Sequence, residues 1–328
     1  MTKIILGIES TAHTFGVAVL KGKKILSNQR KLFTTDKGGM IPAQVADHHV
    51  QIFDEVFTKA INESNINFKD IDFIAFSNSP GIGHSLRIGA FFARYLSLKL
   101  NKPLVPINHC IAHLEVGRFF SGLKDPILLY ASGANTQIIA YESGKYRVFG
   151  ETLDVGIGNF IDSFARELGL GFPGGPKIEE LAKKGKQFIK LPYTVKGMDI
   201  ALGGLLTKLK KMISSKEYAK EDLCFSVQET VFAMLVEVTE RAIAHTGKNA
   251  VVLGGGVSCN LRLQEMVKSM CNERNIKFFC PERQFLVDNA AMIAINAMYL
   301  INAGQEFSFK KSSIKPYLRT DEVEIKYR

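Results

Sequence analysis

The chain repeats itself, and that constrains its fold more than any local propensity does. Lys3 to Ile8 is an apolar run that reads as a strand. It meets a small polar turn, Glu9-Ser-Thr-Ala-His13, and returns as the strand Phe15 to Leu20. Far downstream, Ile127 to Ala131 meets Ser132-Gly-Ala-Asn135 and returns as Thr136 to Tyr141. Both read as hairpins with polar, glycine- or serine-bearing tips. A second unit recurs as well. Phe73-Ile-Ala-Phe-Ser-Asn-Ser-Pro-Gly-Ile-Gly-His-Ser-Leu-Arg87 reads as strand, glycine loop and helix start. Val251-Val-Leu-Gly-Gly-Gly-Val-Ser-Cys-Asn-Leu-Arg262 reads the same way, down to a Leu-Arg pair entering the helix.

A duplication of this kind predicts two α/β lobes with a cleft between them. This is the pattern of the actin, sugar-kinase and Hsp70-type (ASKHA) ATPase fold. The expected lobes are residues 1–125 and 126–328. The second half carries an insertion, roughly 150–226, that the first lacks. Helices are predicted in it around Gly158 to Leu168 and Lys177 to Lys184, with the loop Gly169-Leu-Gly-Phe-Pro-Gly-Gly-Pro176 between them. Leu223 to His245 reads as a long buried helix. Glycine-tipped hairpins and glycine loops at helix N-termini can present N–H groups to phosphates. A P-loop pattern is absent, and no clean G-x-G-x-x-G follows a strand.

The chemistry centres on His109 and His113, in Ile107-Asn-His-Cys-Ile-Ala-His-Leu114. Four apart on a helix, both imidazoles share one face and can clamp one metal ion. A third ligand is needed, and a carboxylate suits. Asp288 is the best candidate, at an expected strand-to-helix junction, where it could equally serve as an N-cap. A zinc protease would place glutamate directly after the first histidine as general base. Cys110 stands there instead, and Glu115 should point elsewhere on the helix. A Cys110–histidine dyad is disfavoured, since adjacent helical residues diverge by about 100°. Other candidates sit on glycine-rich junctions: Asp162, Glu179 and Asn260, which could take ribose hydroxyls or simply cap helices and complement their dipoles. The first hairpin tip, Glu9, Ser10, Thr11 and His13, is a candidate phosphate loop.

Composition excludes some classes. Apolar stretches are too short to span a bilayer, and the N-terminus does not read as a signal peptide, so no membrane role is expected. Five cysteines without a C-x-x-C pair fit a reducing, cytoplasmic compartment. The net charge of +10 fits a polyanionic partner such as nucleic acid, although scattered surface lysines also serve solubility. A small-molecule kinase or ATPase of the same fold and a nucleic-acid-binding module are the rival readings; a metalloprotease lacks its base.

The motifs together resemble one family along nearly the whole chain. They are Gly7-Ile-Glu-Ser-Thr-Ala-His13, Pro80-Gly-Ile-Gly-His-Ser-Leu-Arg87, Asn108-His-Cys-Ile-Ala-His-Leu114 and Ser132-Gly-Ala-Asn-Thr-Gln137, then Pro173-Gly-Gly-Pro176, Gly254-Gly-Gly-Val257, Asp288-Asn-Ala290 and Arg319-Thr-Asp-Glu-Val323. The chain resembles the universal tRNA N6-adenosine threonylcarbamoyltransferase family. It is most similar to the archaeal and eukaryotic branch, the catalytic subunit of the KEOPS complex.

The resemblance implies the duplicated fold. It implies one divalent metal, iron first and zinc or manganese next, held by His109, His113, Tyr130 and Asp288. It implies that Asp162, Gly175, Glu179 and Asn260 contact an ATP/AMP-type nucleotide or threonylcarbamoyl-AMP, together with the loop Tyr130, Ala131, Ser132, Gly133 and Ala134. The family commonly has glycine where this chain has Ala134. The implied reaction is acyl transfer from threonylcarbamoyl-AMP to the N6 amine of the adenosine 3′ of the anticodon. The implied partners are tRNA, a small kinase-like ATPase that some archaea fuse at the C-terminus, a dimerising subunit and a tRNA-end-binding subunit.

Overall fold

The computed structural model describes residues 2–35 and 40–328. The first lobe opens with a three-stranded antiparallel meander, β1 (Ile4–Glu9), β2 (Thr14–Lys21) and β3 (Lys24–Leu32). Helix α1 (Pro42–Ser64) leads to β4 (Phe73–Ser79), α2 (Gly83–Leu100), β5 (Leu104–Asn108) and α3 (His109–Ser121). The second lobe repeats this with β6 (Ile127–Ala131), β7 (Thr136–Glu142) and β8 (Lys145–Glu151). An insertion follows: α4 (Ile157–Glu167), α5 (Gly175–Ala182), the short pair β9 (Val195–Lys196) and β10 (Asp199–Ile200), α6 (Gly203–Ser215) and α7 (Lys220–Thr246). The repeat then resumes with β11 (Ala250–Gly254), α8 (Leu261–Glu273), β12 (Lys277–Phe279), the one-turn α9 (Arg283–Leu286) and α10 (Ala290–Asn302).

The two sheets have one topology. Strand order is β3-β2-β1-β4-β5 in the first and β12-β11-β6-β7-β8 in the second, so β6, β7, β8, β11 and β12 stand where β1, β2, β3, β4 and β5 stand. In each, the first strand pairs antiparallel with the second and parallel with the fourth. The duplication is therefore real, and each hairpin extends to a third strand that the sequence pattern does not announce. The glycine-loop units match less closely than their sequences suggest. Leu86 and Arg87 lie a turn inside α2, whereas Leu261 and Arg262 open α8 behind a 3-10 turn at Gly256–Cys259.

The layers follow from which faces are apolar. Helices α1 and α2 cover one face of the first sheet through Val56, Ala60, Phe92 and Leu96. The insertion helices and α8 cover the far face of the second through Phe160, Phe164, Leu205, Val231 and Val267. Between the sheets lie α3 and α10. Helix α10 is apolar almost all round, as a helix buried on every side must be. It packs on the first sheet against Ile5, Ala18 and Ala75. Helix α3 grows from the first sheet but also packs on the second, Cys110, Ile111 and Leu114 meeting Leu128, Tyr130 and Val252. No helix among the described residues is long and apolar enough to cross a membrane.

Candidate metal centre and nucleotide cleft

Helix α3 begins at His109 because Asn108 caps it, its Oδ1 accepting from Ile111 N at 3.1 Å. That fixes His109 at the first helical position and His113 one turn later. Both rings are buried, their centroids 4.7 Å apart. Asp288 meets them from the other end of the chain. Its Oδ1 lies 3.3 Å from His109 Nε2 and 3.3 Å from His113 Nε2. One candidate ligand atom from each of the three falls within 4.8 Å of the others, so a single ion can be shared.

The junction holding Asp288 differs from the expected one. The residues before it form the one-turn helix α9, not a strand, and the N-cap of α10 is Asn289, whose side chain accepts from Met292 N. Asp288 is thus free of capping duty. Glu9, expected in a phosphate loop, instead backs the histidine: its Oε2 lies 3.0 Å from His109 Nδ1. Glu9 Oε1 accepts from Thr11 Oγ1 at 2.6 Å, and Thr11 Oγ1 lies 3.1 Å from the same Nδ1. A carboxylate on Nδ1 leaves Nε2 as the ligating atom, the usual arrangement behind a metal-bound imidazole. Ser10 is directed away, its Oγ against Gly89 of α2. His13 packs edge-on against Phe172, ring centroids 5.4 Å apart.

Electrostatics follow burial and partners. Burial would lower the His109 pKa, but Glu9 and Asp288 outweigh it and hold it well above the ordinary value. Burial lowers His113, which Asp288 only partly offsets. Burial would raise Asp288, but the two imidazoles hold it well below the usual carboxylate range. Tyr130 is buried in β6 with its ring centroid 5.1 Å from that of His113. Burial, with Cys110 and Asp288 nearby, raises its pKa well above the ordinary phenol value. Cys110 faces the second lobe, Asn135 Nδ2 donating to its Sγ at 3.8 Å. Glu115 is fully buried away from the histidines, accepting from Arg118 Nη1 at 2.6 Å and from the hydroxyls of Tyr146 and Tyr327. Glu115 is therefore not beside the histidines, and the glutamate that is, Glu9, lies behind the His109 ring on Nδ1, on the side away from Asp288.

The remaining candidates lie on the loop after β6, on the insertion helices α4 and α5 and at the start of α8. In the loop after β6, Gly133 and Ala134 are exposed. Gly158 N and Asn159 N of α4 donate to the carbonyls of Ser132 and Gly133 at 3.0 and 2.8 Å, and Ser132 N donates to Asn135 O at 2.9 Å, which together fix the loop. The contact is close: a side chain on Gly156 or Gly158 would strike that loop. Asp162 lies inside α4, not at its end, and its Oδ1 accepts from Gly174 N at 2.7 Å. Burial raises its pKa. Helix α5 starts two residues earlier than expected, so Gly175 is its first residue, with open space where a Cβ would be. Glu179 lies in the middle of α5, and its Oε1 accepts from Leu261 N at 3.1 Å. Asn260 caps α8 through Oδ1 and donates from Nδ2 to Gln228 Oε1 at 2.9 Å. Glu179 and Asn260 are thus brought together at the start of α8. Asp162 and Gly175 meet at the start of α5, one turn before Glu179.

The profile of the family described as tRNA N6-adenosine threonylcarbamoyltransferase matches residues 23–295. The protein of that description from Thermococcus sibiricus is 54% identical over 322 residues, covering 98% of this chain and 99% of the relative. The chain belongs to this family. A Methanocaldococcus jannaschii relative, described as a probable bifunctional tRNA threonylcarbamoyladenosine biosynthesis protein, is 48% identical over 325 residues; the match covers 99% of this chain and 60% of that protein. Among solved structures, HypF from Thermococcus kodakarensis superposes with a TM-score of 0.61 at 15% identity, covering 92% of this chain and 48% of that one. At that identity the likeness concerns the fold, which is the duplicated ASKHA type. Membership makes the protein a transferase that modifies tRNA.

Proposed function

We propose that the chain moves a threonylcarbamoyl group from threonylcarbamoyl-AMP to the N6 amine of the adenosine 3′ of the anticodon in tRNA. The N6 nitrogen attacks the carbamoyl carbonyl carbon and a C–N bond forms. The C–O bond to the phosphate breaks, AMP leaves, and one N6 proton is released. The observation that carries this reading is the convergence of His109, His113 and Asp288 beside the cleft, with Glu9 locked behind His109.

Two imidazoles and a carboxylate fit a divalent ion, iron, zinc or manganese, with Tyr130 as a further ligand. When bound, that ion supplies a Lewis-acid hold on the phosphate of the adenylate. The chain's own residues do the rest. The exposed Gly133 and Ala134 of the loop 132–134 receive the phosphate, and Asp162, Gly175, Glu179 and Asn260 hold the nucleoside. Glu9 and Thr11 fix the His109 ring, and His13 flanks the nucleoside end. The lobes 1–125 and 126–328 act as two jaws. Since the amine is a weak nucleophile, alignment contributes as much as proton transfer. Proposed partners are tRNA, a kinase-like ATPase, a reading supported by relatives described as bifunctional that extend beyond the matched region, a dimerising subunit and a tRNA-end-binding subunit. The compartment proposed is the cytoplasm.

The test supplies unmodified tRNA, threonine, bicarbonate, ATP and the adenylate-forming enzyme, with and without the partner subunits. Modified nucleoside is the expected product, and it disappears with Asp288→Ala. A native chain that makes none in the complete mixture, or an Asp288→Ala chain that makes it at the native rate, overturns the reading.

A further inference from the structure

Asp288 stands immediately before a helix. A carboxylate there is ordinarily drawn to the first amides of that helix, which carry partial positive charge. In this protein those amides are already engaged. Met292 N donates to Asn289 Oδ1 at 3.0 Å, and Ala291 N donates to Asn28 Oδ1 at 3.2 Å. Asn28 belongs to β3, in the opposite lobe. Two residues along the same strand, and therefore on the same face, Arg30 Nη1 donates to Gln284 O at 2.6 Å.

Strand β3 thus grips the chain on both sides of Asp288, at Gln284 before it and Ala291 after it. The register puts Arg30 opposite Gly16. Gly16 is where the start of α10 comes close, since a Cβ placed there would lie 3.4 Å from Ala290 N. Asn28 also leaves its Nδ2 buried without a partner. An aliphatic side chain would avoid that cost. What asparagine supplies and leucine does not is the oxygen that takes Ala291 N. The last turn of the ligand segment is closed by Asn289, whose Nδ2 donates to Val287 O at 2.9 Å.

We propose that Asn28 and Arg30 are positioning residues of the metal centre: they occupy the helix amide and anchor residues 284–291 so that the Asp288 carboxylate faces His109 and His113. This rests on the reading of those three residues as metal ligands, and extends it by making a strand of the first lobe part of the site. The third ligand comes from the end of the chain, yet its aim is set by the same sheet from which the histidine helix grows. One lobe therefore fixes all three ligands relative to one another.

The test measures Zn(II) affinity of the full-length protein by competition with a chromophoric chelator, alongside urea unfolding of the metal-free protein. His113→Ala sets the floor. Asn28→Leu is expected to weaken Zn(II) binding about 10-fold or more, the usual scale for removing an outer support of a metal site. Asn28→Asp keeps an acceptor and is expected to recover most of the affinity. Arg30→Met is expected to weaken binding several-fold, and it carries the test if Asn28→Leu does not fold. A residue that only stabilised the fold would shift the urea midpoint and leave affinity untouched. Folded Asn28→Leu and Arg30→Met proteins that bind Zn(II) within twofold of native, while His113→Ala has lost it, overturn the proposal. If His113→Ala binds Zn(II) like the native chain, the metal reading itself has failed, and this inference falls with it.

Discussion

Helices α3 and α10 occupy equivalent places in the two halves, and their first turns are nearly the same device. Each follows the fifth strand of its sheet, and each is capped by an asparagine that accepts from the third helical amide, Asn108 from Ile111 N and Asn289 from Met292 N. What differs is what the cap presents. After Asn108 come His109 and, one turn on, His113; after Asn289 the same positions are Ala290 and Ala294. Before the caps stand Ile107 in one half and Asp288 in the other. The duplication therefore built the frame, and the chemistry arises where the two copies diverge: imidazoles inside one helix, a carboxylate just outside the other.

The harshest way to break this comparison is to make the helices alike. His113→Ala gives α3 the residue that α10 carries at the same place. Expected are loss of bound metal, from about one ion per chain to nearly none, and a parallel loss of transfer, since a catalytic site rests on three protein ligands. Metal analysis and the nucleoside assay check it. A gentler version leaves the ligands alone. Glu9→Gln removes the charge behind His109 and is expected to weaken metal binding about 10- to 100-fold while the protein stays folded. Native affinity in that variant would show that the ring needs no carboxylate to hold it.

Much of this was legible in the sequence, for identifiable reasons. Strands such as Ile4–Glu9 are short unbroken apolar runs next to polar tips, and the second copy repeats the signature. The histidine pair announces itself by helical spacing. Third strands β3 and β8 were not legible, because Lys24–Leu32 and Lys145–Glu151 mix polar and apolar residues on partly exposed edges. Nor was the role of Glu9: next to a hairpin tip it reads as a loop acid, and only the close approach of β1 to the start of α3 places it on an imidazole. Asn28 and Arg30 carry no local signal, since their partners lie more than 250 residues away. The matched asparagine caps are a signal that the sequence did contain, each directly before the first helical residue, although Asn108 ends β5 and Asn289 lies ten residues past β12.

The two crossing helices also differ in what they press against, which sharpens the comparison by a smaller effect. Gly7 of β1 faces α10 so closely that a methyl group would collide with the Ala290 carbonyl, a backbone atom. Gly117 of α3 faces β11, where the obstacle is the end of the Val252 side chain. Backbone cannot rotate away; a valine methyl can, at a cost in rotamer energy. Gly7→Ala is therefore expected to destabilise by about 3 kcal/mol and Gly117→Ala by about 1 kcal/mol, within the range for overpacking. Urea midpoints compare them, and equal losses would mean that the two helices are seated alike.

The hairpin tips provide the smallest and most selective contrast. The tip of the second lobe is held by backbone amides of α4 on Ser132 and Gly133, which do not titrate. The tip of the first is held by a histidine, His49 of α1, whose Nε2 donates to Ala12 O at 2.9 Å. Burial, helped by the neighbouring His48 and His13, lowers the His49 pKa to about 4, and its Nδ1 is buried with no partner to receive a charge. The unfolded chain therefore takes up this proton first as pH falls. Its contribution to stability is complete above pH 6.5 and is lost progressively down to pH 4. Between pH 7 and pH 5 the native chain should lose about 2 kcal/mol through this one group. His49→Phe keeps a ring against Phe15 and cannot titrate, so the difference in urea stability between the two proteins should shrink by that amount over the same interval. A constant difference across that interval would place the acid sensitivity of the first lobe elsewhere, and the two tips would then be equally indifferent to protons despite being held by different chemistry.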